Sequence, residues 1–162
     1  MTRKFIKDYI VEYKNTLDKD VSNEILKLQD LVNETKSLNS KVIIAGNGGS
    51  ASIASHISID LTKQAKIRTI NFNEANLITC FSNDFGYQNW LVKSIEYYSD
   101  SNDLIILISS SGKSRNMVNA AKFIKMKKMK LITFTGFDID NPLKKLGDLN
   151  FWVNSKSYNI IE

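Results

Sequence analysis

One cysteine, one proline and one histidine occur in 162 residues. The single cysteine, Cys80, excludes an internal disulfide and fits a reducing cytoplasm, where the protein is expected to reside. The single proline, Pro142, is read as opening a short helix that runs to Leu146. No internal repeat or low-complexity linker divides the chain, so one domain is expected. No apolar run approaches the ~18 residues that a membrane helix needs. The segment from Met1 to Tyr13 carries charges throughout and lacks the apolar core of a signal peptide. No membrane association is therefore expected.

Charge is nearly balanced, with a net +5. The clearest basic cluster is Lys122, Lys125, Lys127, Lys128 and Lys130. It reads as the solvated end of a helix, favoured there by the helix dipole. Aromatic residues do not interleave with it, so a nucleic-acid partner is not expected. A basic balance also suits an anionic ligand, although net charge alone is weak support.

The most informative stretch runs from Lys41 to Lys63. Val42-Ile43-Ile44-Ala45 is short and rich in β-branched residues, and it reads as a buried strand. Gly46-Asn47-Gly48-Gly49 follows, which implies a sharp turn or a close approach by a ligand. Ser50 then caps or begins a helix reaching Thr62. A strand, a glycine turn and a helix N-terminus together favour an anion, because free N–H groups and the helix dipole point at the turn. The bland reading is a tight turn with no ligand. A P-loop is excluded, because no G-K-[ST] follows. A dinucleotide fold lacks the acidic residue at the end of the next strand, Ile67 to Phe72, with Glu74 lying beyond it. Nucleotide binding at the glycine turn remains a third reading.

A second strand of the same kind, Leu104 to Ile108, runs into Ser109-Ser110-Ser111-Gly112-Lys113-Ser114. A helix from Arg115 to about Lys127 follows. Hydroxyls, N–H groups and small side chains suit a phosphate. The bland reading is a serine-rich cap.

Apolar residues at helical spacing predict a pair of helices within 1–38. Asp18-Lys19-Asp20 separates them and supplies caps. Glu74 to Phe81 reads as a short helix, followed by Ser82-Asn83-Asp84-Phe85-Gly86. Gly86 to Tyr98 is amphipathic. Lys130 to Phe134 and Leu149 to Val153 read as further strands. Strands thus alternate with helices across 41–153, which predicts an α/β fold: a three-layer, doubly wound, five-stranded parallel sheet. The flavodoxin-like order 2-1-3-4-5 puts both turns at one crevice.

These motifs taken together resemble the SIS (sugar isomerase) domain family. They are Gly46-Asn47-Gly48-Gly49-Ser50-Ala51, His56, Ser82-Asn83-Asp84-Phe85-Gly86, Ile108 to Ser114, and Thr135-Gly136. Within the family the chain is most similar to the phosphoheptose isomerases, over residues 1–162. The resemblance implies a sugar-phosphate aldose–ketose isomerase converting sedoheptulose 7-phosphate to D-glycero-D-manno-heptose 7-phosphate. Its product serves heptose synthesis for bacterial surface polysaccharide, lipopolysaccharide or capsule. It implies that Ser109, Ser111 and Ser114, with N–H groups around Ser110 and Gly112, hold the phosphate. Asn47, Gly48 and Ser50 contact the sugar, and Asn83 and Asp84 bind a hydroxyl. The same resemblance makes His56 and Asp60 the expected catalytic pair. They could also carry zinc, as an incomplete metal site. A homotetramer is implied, with the N-terminal helices packing between subunits.

Two departures from the family's pattern point to an alternative. Asp60 stands where the isomerases carry a glutamate, and Ile161 where they carry a glutamine. In addition, residues 158–162 read as the start of a C-terminal helix that is cut short before the family's further histidine. The alternative is a non-catalytic SIS module that binds a phosphosugar and regulates a partner, such as the bacterial replication initiator.

Overall fold

The computed structural model describes residues 2–162. Two helices lead the chain, α1 (Arg3–Leu17) and α2 (Ser22–Ser37). Strands and helices then alternate: β1 (Val42–Gly46), α3 (Gly49–Lys63), β2 (Thr69–Asn71), α4 (Ala75–Phe85), α5 (Trp90–Tyr98), β3 (Leu104–Ser109), α6 (Arg115–Met126), β4 (Lys130–Thr135) and β5 (Leu149–Trp152). In place of the helix expected from Pro142 to Leu146, only a 3-10 turn at Lys144–Leu146 precedes β5, and α7 (Tyr158–Ile161) follows it. The sheet order is β2-β1-β3-β4-β5, and every pairing is parallel. The topology expected from the sequence is the one observed.

The continuous apolar runs of β1 and β3 follow from burial on both faces. Val42, Ile44, Leu104, Ile106 and Ile132 face one side, with Val32 of α2 and Ala54 of α3. Ile43, Ala45, Ile105, Leu107 and Leu131 face the other, with Trp90, Leu91 and Ile95 of α5 and Met117 and Ile124 of α6. Each fully buried Val, Leu, Ile or Met among them contributes about 1.5–3 kcal/mol. This two-sided core fixes the strands rigidly. It therefore fixes the turns that leave their carboxyl ends.

The helix α1 stands outside the core. It buries no residue, and Phe5, Ile6, Ile10 and Leu17 are exposed. Thr2 caps it through its side chain, which accepts from the Phe5 N–H at 3.2 Å. Asp20 lies just before α2, whose cap position is Val21, and accepts from the Ser22 N–H at 2.9 Å and the Ser22 hydroxyl at 2.6 Å. α2 turns Val32 and Thr35 inward and covers the sheet.

Several boundaries differ from the sequence expectation. α3 begins at Gly49, with Gly48 rather than Ser50 at its cap. β2 is limited to Thr69–Asn71, the three residues that pair with β1 at the sheet edge. α4 runs on to Phe85, so Asn83 and Asp84 lie in its last turn and not in a loop after it. The edge-on packing of Phe81 against Phe85, four residues apart with centroids at 5.8 Å, supports that last turn. Gly86, at φ 80°, then ends the helix. Among the described residues, no helix is long and apolar enough to cross a membrane.

Candidate active site

Strand register brings the two turns together. Gly46 at the end of β1 is paired with Ile108 of β3, and Ser109 with Thr135 of β4. The glycine turn and the serine turn therefore leave neighbouring strands at the carboxyl edge, where such sheets bind ligands. Gly48 takes φ 57° and ψ −124°, a conformation that L side chains rarely adopt. Gly112, at φ 61°, lies so close to Asn141 that a Cβ there would overlap its side-chain amide.

Backbone bonds hold the serine turn in place. The Gly112 N–H donates to the Ser109 carbonyl at 3.0 Å. The Leu143 N–H donates to the Gly112 carbonyl at 3.1 Å, and the Gly136 N–H to the Ser110 carbonyl at 2.8 Å. Lys113 pairs with Asp138 at 2.6 Å. That pair lowers the Asp138 carboxyl below its ordinary range, first through the lysine hydrogen bond and then through its charge. Ser114 caps α6 without a side-chain bond to the helix, which leaves its hydroxyl available.

Between the turns lies a cavity of about 130 Å³, lined by Asn47, Ser50, Ser109, Ser110, Ser111 and Ser114. All six are residues that the sequence singled out. Gly48 and Gly112 shape the two turns around them.

The other candidates lie elsewhere. His56 and Asp60 share one face of α3, with His56 Nε2 3.3 Å from Asp60 Oδ2. Their side chains are 80% and 53% exposed, and neither lines the cavity. Asn83 and Asp84 are exposed at the end of α4, where Asn83 Nδ2 donates to Asp84 Oδ1 at 3.0 Å. Among the described residues, no group of three or more His, Cys, Asp or Glu could hold a metal ion. His56 and Asp60 thus supply two donors where a closed zinc site usually has four. The pair alone does not fit a zinc ion.

A profile of the SIS domain matches residues 6–136. The chain belongs to the SIS domain family. Phosphoheptose isomerase from Helicobacter pylori is 33% identical over 164 residues, covering 96% of this chain and 85% of that protein. Phosphoheptose isomerase from Histophilus somni is 32% identical over 143 residues, covering 82% of this chain and 73% of that one. Among solved structures, a phosphoheptose isomerase from Francisella tularensis superposes with a TM-score of 0.86 at 22% identity, over 99% of this chain and 91% of that one. The phosphoheptose isomerase GmhA from Neisseria gonorrhoeae gives 0.87 at 22% identity, over 98% and 90%. At that identity the likeness of structures speaks for the fold.

Sequence reasoning passed over two partners of Asn47 and two lining residues of the cavity. Asn116, in the first turn of α6, exchanges two amide hydrogen bonds with Asn47. The Tyr87 hydroxyl donates to Asn47 Oδ1 at 3.4 Å. Tyr158 and Glu162 complete the lining. A polar residue two places after the Ser114 cap, on the buried side of α6, was the available signal for Asn116. Glu162 had none, because only the folded chain carries it back to the sheet edge. Ile161 packs over Gly136, where a Cβ would meet Ile161 Cγ1 at 2.8 Å.

Proposed function

We propose that the protein is a sugar-phosphate aldose–ketose isomerase, converting sedoheptulose 7-phosphate to D-glycero-D-manno-heptose 7-phosphate for bacterial surface polysaccharide. The carrying observation is the single cavity that joins the glycine and serine turns. The relatives named phosphoheptose isomerase supply the reaction.

The phosphate serves as a handle remote from the chemistry, so its binding energy positions the reacting end. Ser109, Ser111 and Ser114 hold it at the start of α6, together with N–H groups around Gly112. Asn47, Gly48 and Ser50 meet the sugar. Asn83 and Asp84 bind a hydroxyl as the chain reaches past the glycine turn.

In the reaction a base removes a proton from C1 of the ketose while an acid protonates the C2 oxygen, giving the enediol. Loss of the O1 proton and delivery of a proton to C2 then give the aldose. Asp60 and His56 are the acid–base pair of this reading. With ~1.5 Å rise per residue, His56 lies roughly 9 Å along α3 from Ser50, a span comparable with an extended heptose chain.

The working form of this reading is a homo-oligomer, a tetramer by its resemblance. The apolar residues of α1 that the core leaves bare are what a second copy would cover. Sedimentation of a monomer at micromolar concentration would remove that part.

The test of the activity is incubation with sedoheptulose 7-phosphate, with and without added zinc, followed by detection of the aldose. Turnover supports the proposal. Thermal stabilisation by the sugar phosphate without turnover transfers the reading to a non-catalytic module. Neither effect removes both.

A further inference from the structure

Glu162 joins the two turns. Its Oε1 accepts from the Ser50 hydroxyl at 2.7 Å and from the Ser110 hydroxyl in a shorter contact. Ser50 belongs to the first turn of α3 and Ser110 to the serine turn; they are 2% and 5% exposed. The other carboxylate oxygen, Oε2, lies against Gly49, where a Cβ would overlap it. The carboxylate therefore rests on the N-terminus of α3, the end of the helix dipole that favours negative charge.

This arrangement changes what the cavity can offer. A serine hydroxyl has one proton to donate. Ser50 and Ser110 spend theirs on Glu162, so only their lone pairs remain for a ligand. Lone pairs accept from sugar hydroxyls and have nothing to give to an ionised phosphate. The α3 corner also holds a negative charge already, and a second anion there would be repelled. The start of α6 is different. Ser114 makes no capping bond with its side chain. Ser111 Oγ accepts from the Lys113 N–H at 3.3 Å, which leaves its own proton to donate.

We propose that Glu162 is a positioning residue that divides the cavity in two. It fixes Ser50 and Ser110 as acceptors for sugar hydroxyls and directs the ligand's phosphate to the α6 end. The proposal rests on the phosphosugar reading given above. It gives the polarity of that reading, hydroxyls toward α3 and phosphate toward α6, a cause in Glu162.

The test uses Glu162→Gln and Glu162→Ala in the full chain, with calorimetric titration of inorganic phosphate and of sedoheptulose 7-phosphate in parallel. Each variant should bind the sugar phosphate about tenfold more weakly, on the order of one weakened hydrogen bond, because Ser50 and Ser110 are held less firmly as acceptors for its hydroxyls. Each should bind inorganic phosphate several-fold more tightly, because the repulsion is gone, and in Glu162→Ala the two hydroxyls are also free to turn. A merely structural role would weaken both ligands together. Parallel losses, or no change in either, overturn the proposal. Should the Glu162 variants fail to fold, Ser110→Ala gives the second reading. It should weaken the sugar phosphate and leave inorganic phosphate unchanged, and equal loss of both overturns the proposal. If the unmodified protein binds phosphate but no phosphosugar, the functional reading falls. The phosphate arm then still decides for Glu162, upholding its role if the variants tighten and overturning it if they do not. Binding of neither ligand by the unmodified protein overturns both.

Discussion

Asn47 and Asn116 exchange two side-chain hydrogen bonds, 3.0 Å from Asn47 Nδ2 to Asn116 Oδ1 and 2.9 Å in return. Asn47 stands in the turn after β1, and Asn116 in the first turn of α6. The pair therefore ties the glycine corner to the serine corner independently of any ligand. Asn116 is only 2% exposed, so its amide has no ready access to solvent as a substitute partner. Asn116→Ala should cost about 1–3 kcal/mol, the desolvation cost of polar groups left unpaired. A double-mutant cycle with Asn47→Ala, read by urea unfolding, should show coupling on the order of 1 kcal/mol. Additive costs would mean that the amides do not act as a pair.

The two left-handed glycines of the site should respond differently to alanine. At Gly48 a Cβ would meet nothing within 4 Å, so only backbone strain opposes the change. At Gly112 the same strain is joined by overlap with Asn141, a buried residue that itself donates to Thr135 Oγ1 at 3.1 Å. Gly48→Ala is expected to cost about 1–2 kcal/mol. Gly112→Ala should cost clearly more and also lower phosphate affinity, because Asn141 helps to seat the serine turn. Denaturant midpoints of the two variants check the order, and equal costs would contradict the overlap.

Much of this site was legible before folding, for a local reason. The glycine and serine turns each follow a buried strand and open a helix, so their chemistry is contained in contiguous residues. Parallel order then places them together without further information. What was not legible depends on distance along the chain. Glu162 meets Ser50 across 112 positions and Ser110 across 52. No periodicity or spacing signals such a meeting. The end of α4 was misjudged because Ser82, Asn83 and Asp84 are turn-formers by type. The Phe81–Phe85 contact and the helical bonds up to Gly86 outweighed that preference. For His56 and Asp60, helical spacing fixed their mutual contact but could not say what lies opposite their exposed face.

Ser114 offers a direct measure of phosphate binding. Its hydroxyl lines the cavity and makes no capping bond to α6. Removing it should leave stability nearly unchanged. One lost hydrogen bond to a charged ligand is worth about 1.5–3 kcal/mol, so Ser114→Ala should lower phosphosugar affinity roughly ten- to a hundredfold. The melting temperature and the binding isotherm together check this. Full affinity in the variant would place the phosphate elsewhere.

Lys113 and Asp138 should give the serine turn a dependence on pH and salt. The lysine hydrogen bond, and then its charge, hold the Asp138 carboxyl below the ordinary value of about 3.9. A carboxyl whose folded-state pKa is depressed contributes stability above its unfolded pKa and loses it as pH falls through the folded one. The contribution is thus complete near neutrality and disappears in acid, below about pH 4. Both side chains are about half exposed, so the effect is small and screened by salt. In an NMR titration the Asp138 carboxyl should titrate below the ordinary range. Lys113→Met should return it to that range, and the difference should shrink at ~1 M salt, where the screening length is about 3 Å. An unchanged midpoint in Lys113→Met would show that the ion pair does not hold in solution and that backbone bonds alone seat the turn.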